Sequence, residues 1–262
     1  MSTTQFERKD STTRFSDRVE AYIKYRPGYP DGLIASLHDL IGLNEESVIA
    51  DIGSGTGISS ELFLRNGMAV YGVEPNDGMR EAAERLLNQF DQFRSVNGTA
   101  EATTLQDNSV DLIVAAQAFH WFDREAVKEE WQRILKPGGS VLLFWNSRRT
   151  DSSPFLQAYE EMLLTFGTDY QQINHQNISD EDILQFFYPM LVQKLRLYNE
   201  QQVDFDGLRG RLESSSYAPS ADHPDYKPMI DRLSEIFAEY RQDGFVCIEY
   251  DLEVFISSLE KG

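Results

Sequence analysis

The sequence is poor in metal-binding and cross-linking side chains. Its 262 residues include one cysteine, Cys247, and four histidines. A single thiol excludes an internal disulfide and any zinc site built from several cysteines. The histidines show no metal-ligand spacing, so we expect no metal site. Apolar residues flank Cys247 on both sides, which predicts a strand whose thiol lies in the core.

Long hydrophobic runs are also absent. No stretch approaches the roughly 20 consecutive apolar residues of a membrane-spanning helix. The N-terminus is polar and has no apolar signal segment. We therefore expect a cytoplasmic protein that does not bind membranes.

Positive charge is scarce. The chain has 24 Lys and Arg against 43 Asp and Glu, which gives a formal net charge of −19. Binding to a nucleic-acid backbone requires a basic surface. Nucleic acid is therefore not expected as a partner, and a small-molecule substrate fits the composition better.

What the sequence does contain is an alternation of short apolar runs and amphipathic segments. Hydrophobic residues make up 41% of the chain, enough for the core of one large α/β domain. Strands alternating with helices predict a parallel sheet with right-handed crossovers. The predicted strands of this part are residues 48–50, 68–74, 93–96, 110–116 and 140–145, and its predicted helices include 33–41, 58–65 and 79–90.

The C-terminal part is harder to interpret. Helices are predicted at 154–166, at 180–187 and near 229–240, and residues 146–153 are expected to form a polar loop. Residues 192–204 and 245–256 alternate in polarity, so we interpret them as the last strands of the sheet, antiparallel to each other.

Residues 48–57 carry the most specific local pattern. An apolar run ends in Asp51, and glycines follow at positions 53, 55 and 57, just before a predicted helix. Glycines leave the backbone open to a ligand, and a helix N-terminus offers unpaired N–H groups. This arrangement is typical of a nucleotide-like cofactor site at the end of a first strand. An ordinary glycine-rich loop is the alternative, because a glycine motif alone is not specific.

The glycine spacing separates two kinds of cofactor. Dinucleotide folds favour G-x-G-x-x-G, whereas this chain has Ile58 where the third glycine of that pattern would stand. The carboxylate of Asp51 is suited to accept a hydrogen bond from a cationic amine.

Glu74 adds a second element of the site. It ends the predicted second strand, 21 positions after Gly53, close to the ~20-residue offset at which an acid meets ribose hydroxyls. A solvated glutamate at a strand end is the alternative. Asn76 or Asp77 is expected to cap the next helix. A ligand with an amino-acid end, a ribose and a base would suit these features, and S-adenosylmethionine has those three parts.

Four segments, at residues 51–57, 74–76, 98–101 and 135–139, make the chain resemble class I S-adenosylmethionine-dependent methyltransferases. Within that superfamily it is most similar to the small-molecule branch containing trans-aconitate methyltransferase-like and ubiquinone/menaquinone-type enzymes. The residues that carry this closer likeness are Arg26-Pro27-Gly28-Tyr29-Pro30 and Gln117-Ala118-Phe119-His120-Trp121-Phe122. The resemblance is strong over residues 15–146 and only topological beyond.

The resemblance implies an α/β fold: a Rossmann-like, seven-stranded, mostly parallel sheet in the order 3-2-1-4-5-7-6. Strand 7 would be antiparallel, with helices on both faces and a helical cap. We expect a disordered tail at 1–14 and one domain at 15–262, as a monomer or homodimer. Its parts would be an N-terminal helical lid (15–45), the cofactor-binding core (46–146) and C-terminal strands with helical cap insertions (147–262).

The resemblance also assigns cofactor roles. The three glycines would line the methionine and ribose portion, with Gln117 beside the methionine end. Glu74 would hold the ribose hydroxyls, Asn76 and Met79 would flank the sugar and adenine, and Ala100 with Glu101 would meet the adenine edge. The expected cofactor is S-adenosyl-L-methionine, with S-adenosyl-L-homocysteine as product, and the full expected set is Asp51, Gly53, Ser54, Gly55, Thr56, Gly57, Glu74, Pro75, Asn76, Met79, Thr99, Ala100, Glu101 and Gln117.

Methyl transfer from a sulfonium is an in-line displacement that depends mainly on positioning. A general base is needed only when the acceptor must lose a proton, and a carboxylate acceptor needs none. His120 is the candidate base; a neutral histidine hydrogen-bonded beneath Trp121 is the alternative. Trp121, Phe119 and Tyr22 would wall the site or contact the cationic sulfur.

Arginines suggest the acceptor's charge. Arg26, Arg148 and Arg149 could clamp a carboxylate substrate, although solvated loop arginines are the alternative. The candidate catalytic set is thus His120, Trp121, Tyr22 and Arg26. Two other functions stay open: a non-catalytic S-adenosylmethionine-binding protein on the same fold, and an NAD-dependent oxidoreductase, which the glycine spacing disfavours.

Overall fold

The structure, a computed structural model, describes residues 25–168, 170, 178–215 and 217–259. The expectations for the tail at 1–14 and for Tyr22 lie outside the described residues. The strands are β1 (Val48–Ile52), β2 (Ala69–Val73), β3 (Phe93–Val96), β4 (Val110–Ala116), β5 (Leu135–Arg148), β6 (Gln193–Val203) and β7 (Val246–Ser257). The helices are α1 (Gly32–Ile41), α2 (Ile58–Arg65), α3 (Asp77–Leu86), α4 (Arg124–Ile134), α5 (Pro154–Phe166), α6 (Asp180–Phe187), α7 (Phe205–Glu213) and α8 (Tyr226–Tyr240), with a short 3-10 helix at Phe119–Trp121.

The seven strands form one sheet in the order β3-β2-β1-β4-β5-β7-β6. Strands β1 to β5 are parallel, and β7 is antiparallel to both β5 and β6. The expected order, the antiparallel seventh strand and the pairing of the last two strands are all confirmed. Among the described helices, none combines the length and the apolar character needed to cross a membrane.

Strand β4 shows why the sheet is covered on both faces. Every residue of β4 except Asp111 is buried, as expected for a central parallel strand. Ile113 and Ala115 point into one core cluster with α4 and α6, whereas Leu112 and Val114 point into the other with α1 and α2. The period-2 alternation of a strand therefore supplies both cores from one short run.

Several predicted boundaries are confirmed residue for residue, namely those of α2, α5, α6, β3 and β4. The predicted polar loop at 146–153 is wrong for its first three residues. Strand β5 continues to Arg148, because its antiparallel pairing with β7 extends to the Arg148–Tyr250 pair. The ladder supplies backbone partners that the local sequence does not reveal.

A third cluster forms the C-terminal cap, where α5, α7 and α8 pack on the N-terminal half of β7. Val246, Ile248 and Tyr250 point into it. Cys247 lies between two of these residues and points the other way, half-buried, with its Sγ 3.7 Å from the Glu200 carboxylate. The predicted strand is confirmed, but the predicted core position of the thiol is wrong because strand alternation directs it outward.

Candidate functional site

The glycine turn after β1 is held against β2 by backbone hydrogen bonds. The N–H groups of Gly53 and Ser54 both donate to the carbonyl of Val73, at 2.8 and 3.2 Å. Gly53, Gly55 and Gly57 have φ values of 68°, 56° and 86°. This left-handed conformation is costly for other residues, so the turn requires glycine at all three positions.

The three glycines differ in what surrounds them. A Cβ at Gly53 would lie 2.8 Å from the Cβ of Ala118, and one at Gly57 would lie 2.5 Å from Leu87 Cδ1. A Cβ at Gly55 would meet nothing within 4 Å. Gly53 and Gly57 therefore permit close packing within the protein, whereas Gly55 leaves open space beside the turn.

Asp51 lies beneath this turn and is fully buried. Its Oδ2 accepts hydrogen bonds from the hydroxyls of Ser59 and Ser60, at 2.7 and 2.6 Å. Its Oδ1 has no partner among the described residues. Burial raises the pKa of Asp51 to about 6, with a smaller contribution from the charge of Glu74, and the two serine hydrogen bonds only partly oppose this rise. An unpartnered buried carboxylate oxygen fits the predicted contact with a cationic amine.

Glu74 closes the other side of the turn. Its Oε2 accepts the N–H of Gly55 at 3.0 Å, and its Oε1 accepts the N–H of Asn76 at 2.9 Å. The side chain is buried, and this burial raises its pKa, against the lowering effect of both hydrogen bonds. The solvated alternative for Glu74 is therefore wrong. Each oxygen keeps a lone pair, which suits the predicted ribose contact.

The expected adenine-side residues sit at the ends of β2 and β3. Asn76 caps α3 by accepting the N–H of Met79 at 3.0 Å, as predicted. Thr99 and Ala102 form a tight antiparallel bridge. Glu101 accepts the N–H of Asp123 at 3.1 Å, so this turn is tied to the start of α4.

A pocket opens between the glycine turn, the end of β4 and the C-terminal cap. Its empty space, including the part open to solvent, is about 560 Å³. Within the pocket, Gln117 has a φ of 59°, and its N–H donates to the carbonyl of Phe144 at 3.0 Å. A positive φ at a non-glycine residue is strained backbone, which is enriched at functional sites. The lining residues are Arg26, Pro27, Tyr29, Gly53, Ser54, Gly55, Thr56, Ile58, Ser59, Ala116, Gln117, Asn146, Arg211 and Tyr250.

Several predicted cofactor residues lie outside this lining. Gly57 instead caps α2 and packs against Leu87. The others lie in the turns after β2 and β3 or in the core: Asp51, Glu74, Pro75, Asn76, Met79, Thr99, Ala100 and Glu101. The pocket thus extends from the expected methionine end of the cofactor site to the space beside Arg211 and Tyr250.

Of the predicted catalytic residues that the structure describes, Arg26 lines the pocket. Its Nη2 donates to the carbonyl of Ser214 at 3.3 Å. The amides of Asn146 and Asn199 donate to the carbonyl of Gly28, at 3.2 and 2.9 Å, and the ring of Tyr29 packs edge-on against Phe144. These contacts fix the segment around Arg26 onto β5 and β6.

The aromatic segment after β4 lies differently. His120 is exposed on the 3-10 helix, its ring centroid 4.7 Å from that of Trp121, and neither residue is in the pocket lining. Phe119 is buried in the core against Trp131 and Phe186. The role of His120 as a base stays a prediction, as does that of Trp121.

The predicted clamp of three arginines is wrong for two of its members. Arg148 is paired with the carboxylate of Glu160 and donates to Tyr170 Oη at 2.9 Å. Arg149 is paired with Asp251 at 2.7 Å. Both guanidinium groups thus have carboxylate partners within the protein, and neither residue is in the pocket lining.

The pocket is lined by a different arginine, Arg211, which the sequence did not single out. It lies on α7, is only 8% exposed, and its Nη1 has no hydrogen-bond partner among the described residues. Helix α7 was missed because it contains Gly207 and Gly210. Its signals were nevertheless present: Asp204 caps it by accepting the N–H of Gly207 at 2.8 Å, and apolar residues follow at helical spacing.

Comparisons with known proteins agree with this geometry. Residues 50–143 match the family model of the methyltransferase domain. An uncharacterized methyltransferase-like protein of Schizosaccharomyces pombe is 33% identical over 156 residues, which is 59% of this chain and 59% of that protein. An uncharacterized methyltransferase of Mycobacterium tuberculosis is 36% identical over 141 residues, 54% of this chain and 55% of that protein. These matches span less than two thirds of either relative.

The likeness to solved structures extends further along the chain. The structure of a candidate type II methyltransferase from Anaeromyxobacter dehalogenans has a TM-score of 0.66 and 21% sequence identity. The superposition covers 89% of this chain and 97% of that one. The described cap and sheet therefore belong to the same fold as that protein.

Proposed function

We propose that this chain, with its methyltransferase-domain match over residues 50–143, transfers the methyl group of S-adenosylmethionine to a small-molecule acceptor. Gly55 carries this proposal. The backbone there is left-handed, yet a Cβ would meet none of the described residues beyond its chain neighbours within 4 Å. The same turn follows the buried Asp51, whose Oδ1 has no partner among the described residues. The Gly55 N–H donates to the buried carboxylate of Glu74, and this combination suits a ligand with an amine and a ribose.

The chain's own residues would bind and orient the cofactor. Asp51 would hold the amine, Glu74 the ribose hydroxyls, and Gln117 the methionine end. The cofactor itself supplies an electrophilic methyl group on a sulfonium. Holding an acceptor in line with that methyl replaces a bimolecular encounter and can contribute about 7–11 kcal/mol when the geometry is good.

We infer further that the acceptor carries a carboxylate. The described residues that line the pocket include no aspartate, glutamate or histidine to remove a proton from an acceptor. A carboxylate oxygen is already deprotonated at neutral pH and needs no base. If the acceptor were a phenol, an amine or a carbon acid, His120 would remain the candidate base.

The first test measures binding of S-adenosylhomocysteine by isothermal titration calorimetry. Wild-type protein is expected to bind, and Gly55→Val is expected to weaken binding by about 100-fold, since the side chain occupies the ligand's space. Gly138→Val is the matched control: Gly138 also has positive φ and open surroundings but lies outside the pocket. Glu74→Ala is also expected to weaken binding strongly.

Three outcomes would count against the proposal. Folded wild-type protein that does not bind S-adenosylhomocysteine would contradict it. Thermal stabilisation by NADH instead would favour an oxidoreductase. Tight S-adenosylhomocysteine binding without turnover across a broad screen of carboxylate, hydroxyl and amine acceptors would favour a non-catalytic binding protein.

A further inference from the structure

Arg211 is a buried cation that has no counter-ion among the described residues. Its side chain is only 8% exposed, and Nη1 lacks a hydrogen-bond partner among the described residues. No described carboxylate forms an ion pair with it, in contrast to Arg148 and Arg149. Burying a charge is costly unless it is paired. Ion pairing with the described residues therefore gives no reason for an arginine here.

Tyr250 adds a second unused donor beside Arg211. The Arg211 guanidinium carbon lies 5.1 Å from the centre of the Tyr250 ring. The Tyr250 hydroxyl is buried and has no hydrogen-bond partner among the described residues. Burial raises the pKa of Tyr250 to about 12, although the charge of Arg211 opposes this rise, so the hydroxyl stays protonated and can donate.

The charged residues around these two donors are positive. The described pocket lining contains Arg26 and Arg211 but no acidic residue, in a protein of net charge −19. The lining also includes Gly55 and Gln117, so the donors share a pocket with the expected methionine end of the cofactor. The methionine end of the cofactor also carries a carboxylate, so S-adenosylhomocysteine binding to an Arg211 variant distinguishes an acceptor subsite from a cofactor subsite.

We infer that Arg211 and Tyr250, with Arg26 beside them, form an anion-binding subsite that takes a carboxylate of the acceptor. The inference rests on the proposed methyl transfer and specifies how its acceptor is held. A guanidinium can donate two parallel hydrogen bonds to a carboxylate, and the tyrosine hydroxyl can donate a third. The bound anion would supply the negative charge and the hydrogen-bond acceptors that Arg211 and Tyr250 do not find among the described residues.

The alternative is that Arg211 is structural, through its stacking on Tyr250. The two roles predict opposite changes in stability. Removing a structural arginine lowers the thermal midpoint, whereas removing an unpaired buried cation leaves it unchanged or raises it. Arg211→Met, which keeps the length of the side chain without its charge, is therefore expected to be at least as stable as wild type in the absence of anions.

The direct test measures anion binding to the full chain by calorimetry and thermal shift. The probes are acetate, succinate, citrate and inorganic phosphate, with chloride at equal ionic strength as control. At least one carboxylate is expected to bind wild type, and to bind Arg211→Met about tenfold or more weakly. The matched control is Arg209→Met on the same helix: Arg209 is exposed, paired with Glu213 at 2.9 Å, and outside the pocket.

Two further variants keep the test decisive. If Arg211→Met does not fold, Tyr250→Phe removes only the hydroxyl and is expected to weaken carboxylate binding several-fold. Arg211→Lys keeps the charge but loses the fork of donors, so its affinity should lie between those of wild type and Arg211→Met.

Each other outcome overturns the inference. It is wrong if no carboxylate binds, or if binding is equal in wild type, Arg211→Met and Tyr250→Phe. If phosphate binds in an Arg211-dependent way and no carboxylate does, the subsite binds phosphate and the carboxylate assignment is wrong. S-adenosylhomocysteine titrations separate this result from the proposed function, because Arg211→Met should bind it as wild type does. If the wild-type protein does not bind S-adenosylhomocysteine, the proposed methyl transfer is refuted instead.

Discussion

At the scale of single residues, Asp51 shows that binding and stability make different demands. Its carboxylate is fully buried, and burial raises its pKa from the usual 3.8 to about 6. Between these two values the folded protein holds a proton that the unfolded chain has lost. The free energy of unfolding therefore decreases as the pH rises from about 4 to about 6, by up to about 3 kcal/mol.

Asp51→Asn removes the free-energy cost of ionising a buried carboxylate. We expect the variant to be more stable than wild type by about 1–3 kcal/mol at pH 8, and to show a flatter dependence between pH 4 and 6. Urea unfolding at several pH values measures both effects. S-adenosylhomocysteine binding should weaken in the same variant. Lower stability of Asp51→Asn at pH 8 would show that the ionised carboxylate stabilises the fold instead.

Gly57, in contrast to Asp51, contributes to stability, because its lack of a side chain allows the turn to pack closely against Leu87. Gly57→Ala is expected to lower the free energy of unfolding by about 2–4 kcal/mol, because φ is 86° and the new Cβ would lie 2.5 Å from Leu87 Cδ1. Gly138→Ala has the strain without the clash and should lose about 1 kcal/mol. Equal losses in the two variants, measured by urea unfolding, would contradict this account.

At the scale of elements, the C-terminal cap is joined to the sheet by a buried ion pair. Arg148 at the end of β5 pairs with Glu160 on α5, and their side chains are 10% and 16% exposed. The guanidinium carbon also lies 5.1 Å from the centre of the Tyr159 ring. Helix α5 is thus held to the strand by charge as well as by apolar packing.

Arg148→Met should therefore lower the free energy of unfolding by about 3–5 kcal/mol, because Glu160 would be left buried without its cation. Arg149→Met is the control, since Arg149 pairs with Asp251 at the surface and its loss should matter far less. Denaturant unfolding compares the two. The contrast with Arg211→Met, which should not be destabilised, distinguishes arginines that stabilise the cap from the one proposed to bind a ligand.

At the scale of the whole molecule, net charge would affect how the two proposed substrates approach. The net charge of −19 creates a negative potential around the protein that salt screens over a Debye length of roughly 8–10 Å. S-adenosylmethionine carries a net positive charge, whereas a carboxylate acceptor is negative. For the proposed substrates, the field would attract the cofactor and repel a carboxylate acceptor, which makes a local positive subsite more important for that acceptor.

Raising NaCl from about 20 to about 200 mM should slow cofactor association and speed acceptor association. Stopped-flow binding of S-adenosylmethionine, and the acceptor KM at both salt concentrations, measure the two effects. A change in the same direction for both substrates would contradict the electrostatic account. A neutral acceptor analogue is the control and should show little dependence on salt.

The sequence by itself determined the order of the strands and of most helices, the glycine turn, and the acids Asp51 and Glu74 at the ends of two strands, but not helix α7. These features are local: strand and helix periods, capping residues and the demand for positive φ are set by neighbouring residues. The resemblance to a known superfamily then supplied the strand order, which the structure confirms.

Only the tertiary structure decided which arginines face the pocket. Arg148 and Arg149 resembled free loop residues in the sequence, but the pairing of β5 with β7 and the packing of α5 give each a carboxylate partner. Arg211 and Tyr250 lie far from the glycine turn in sequence, and folding of the cap on β7 brings them to its pocket. Ion pairing depends on distances of a few ångströms between distant segments, and no local pattern encodes those distances.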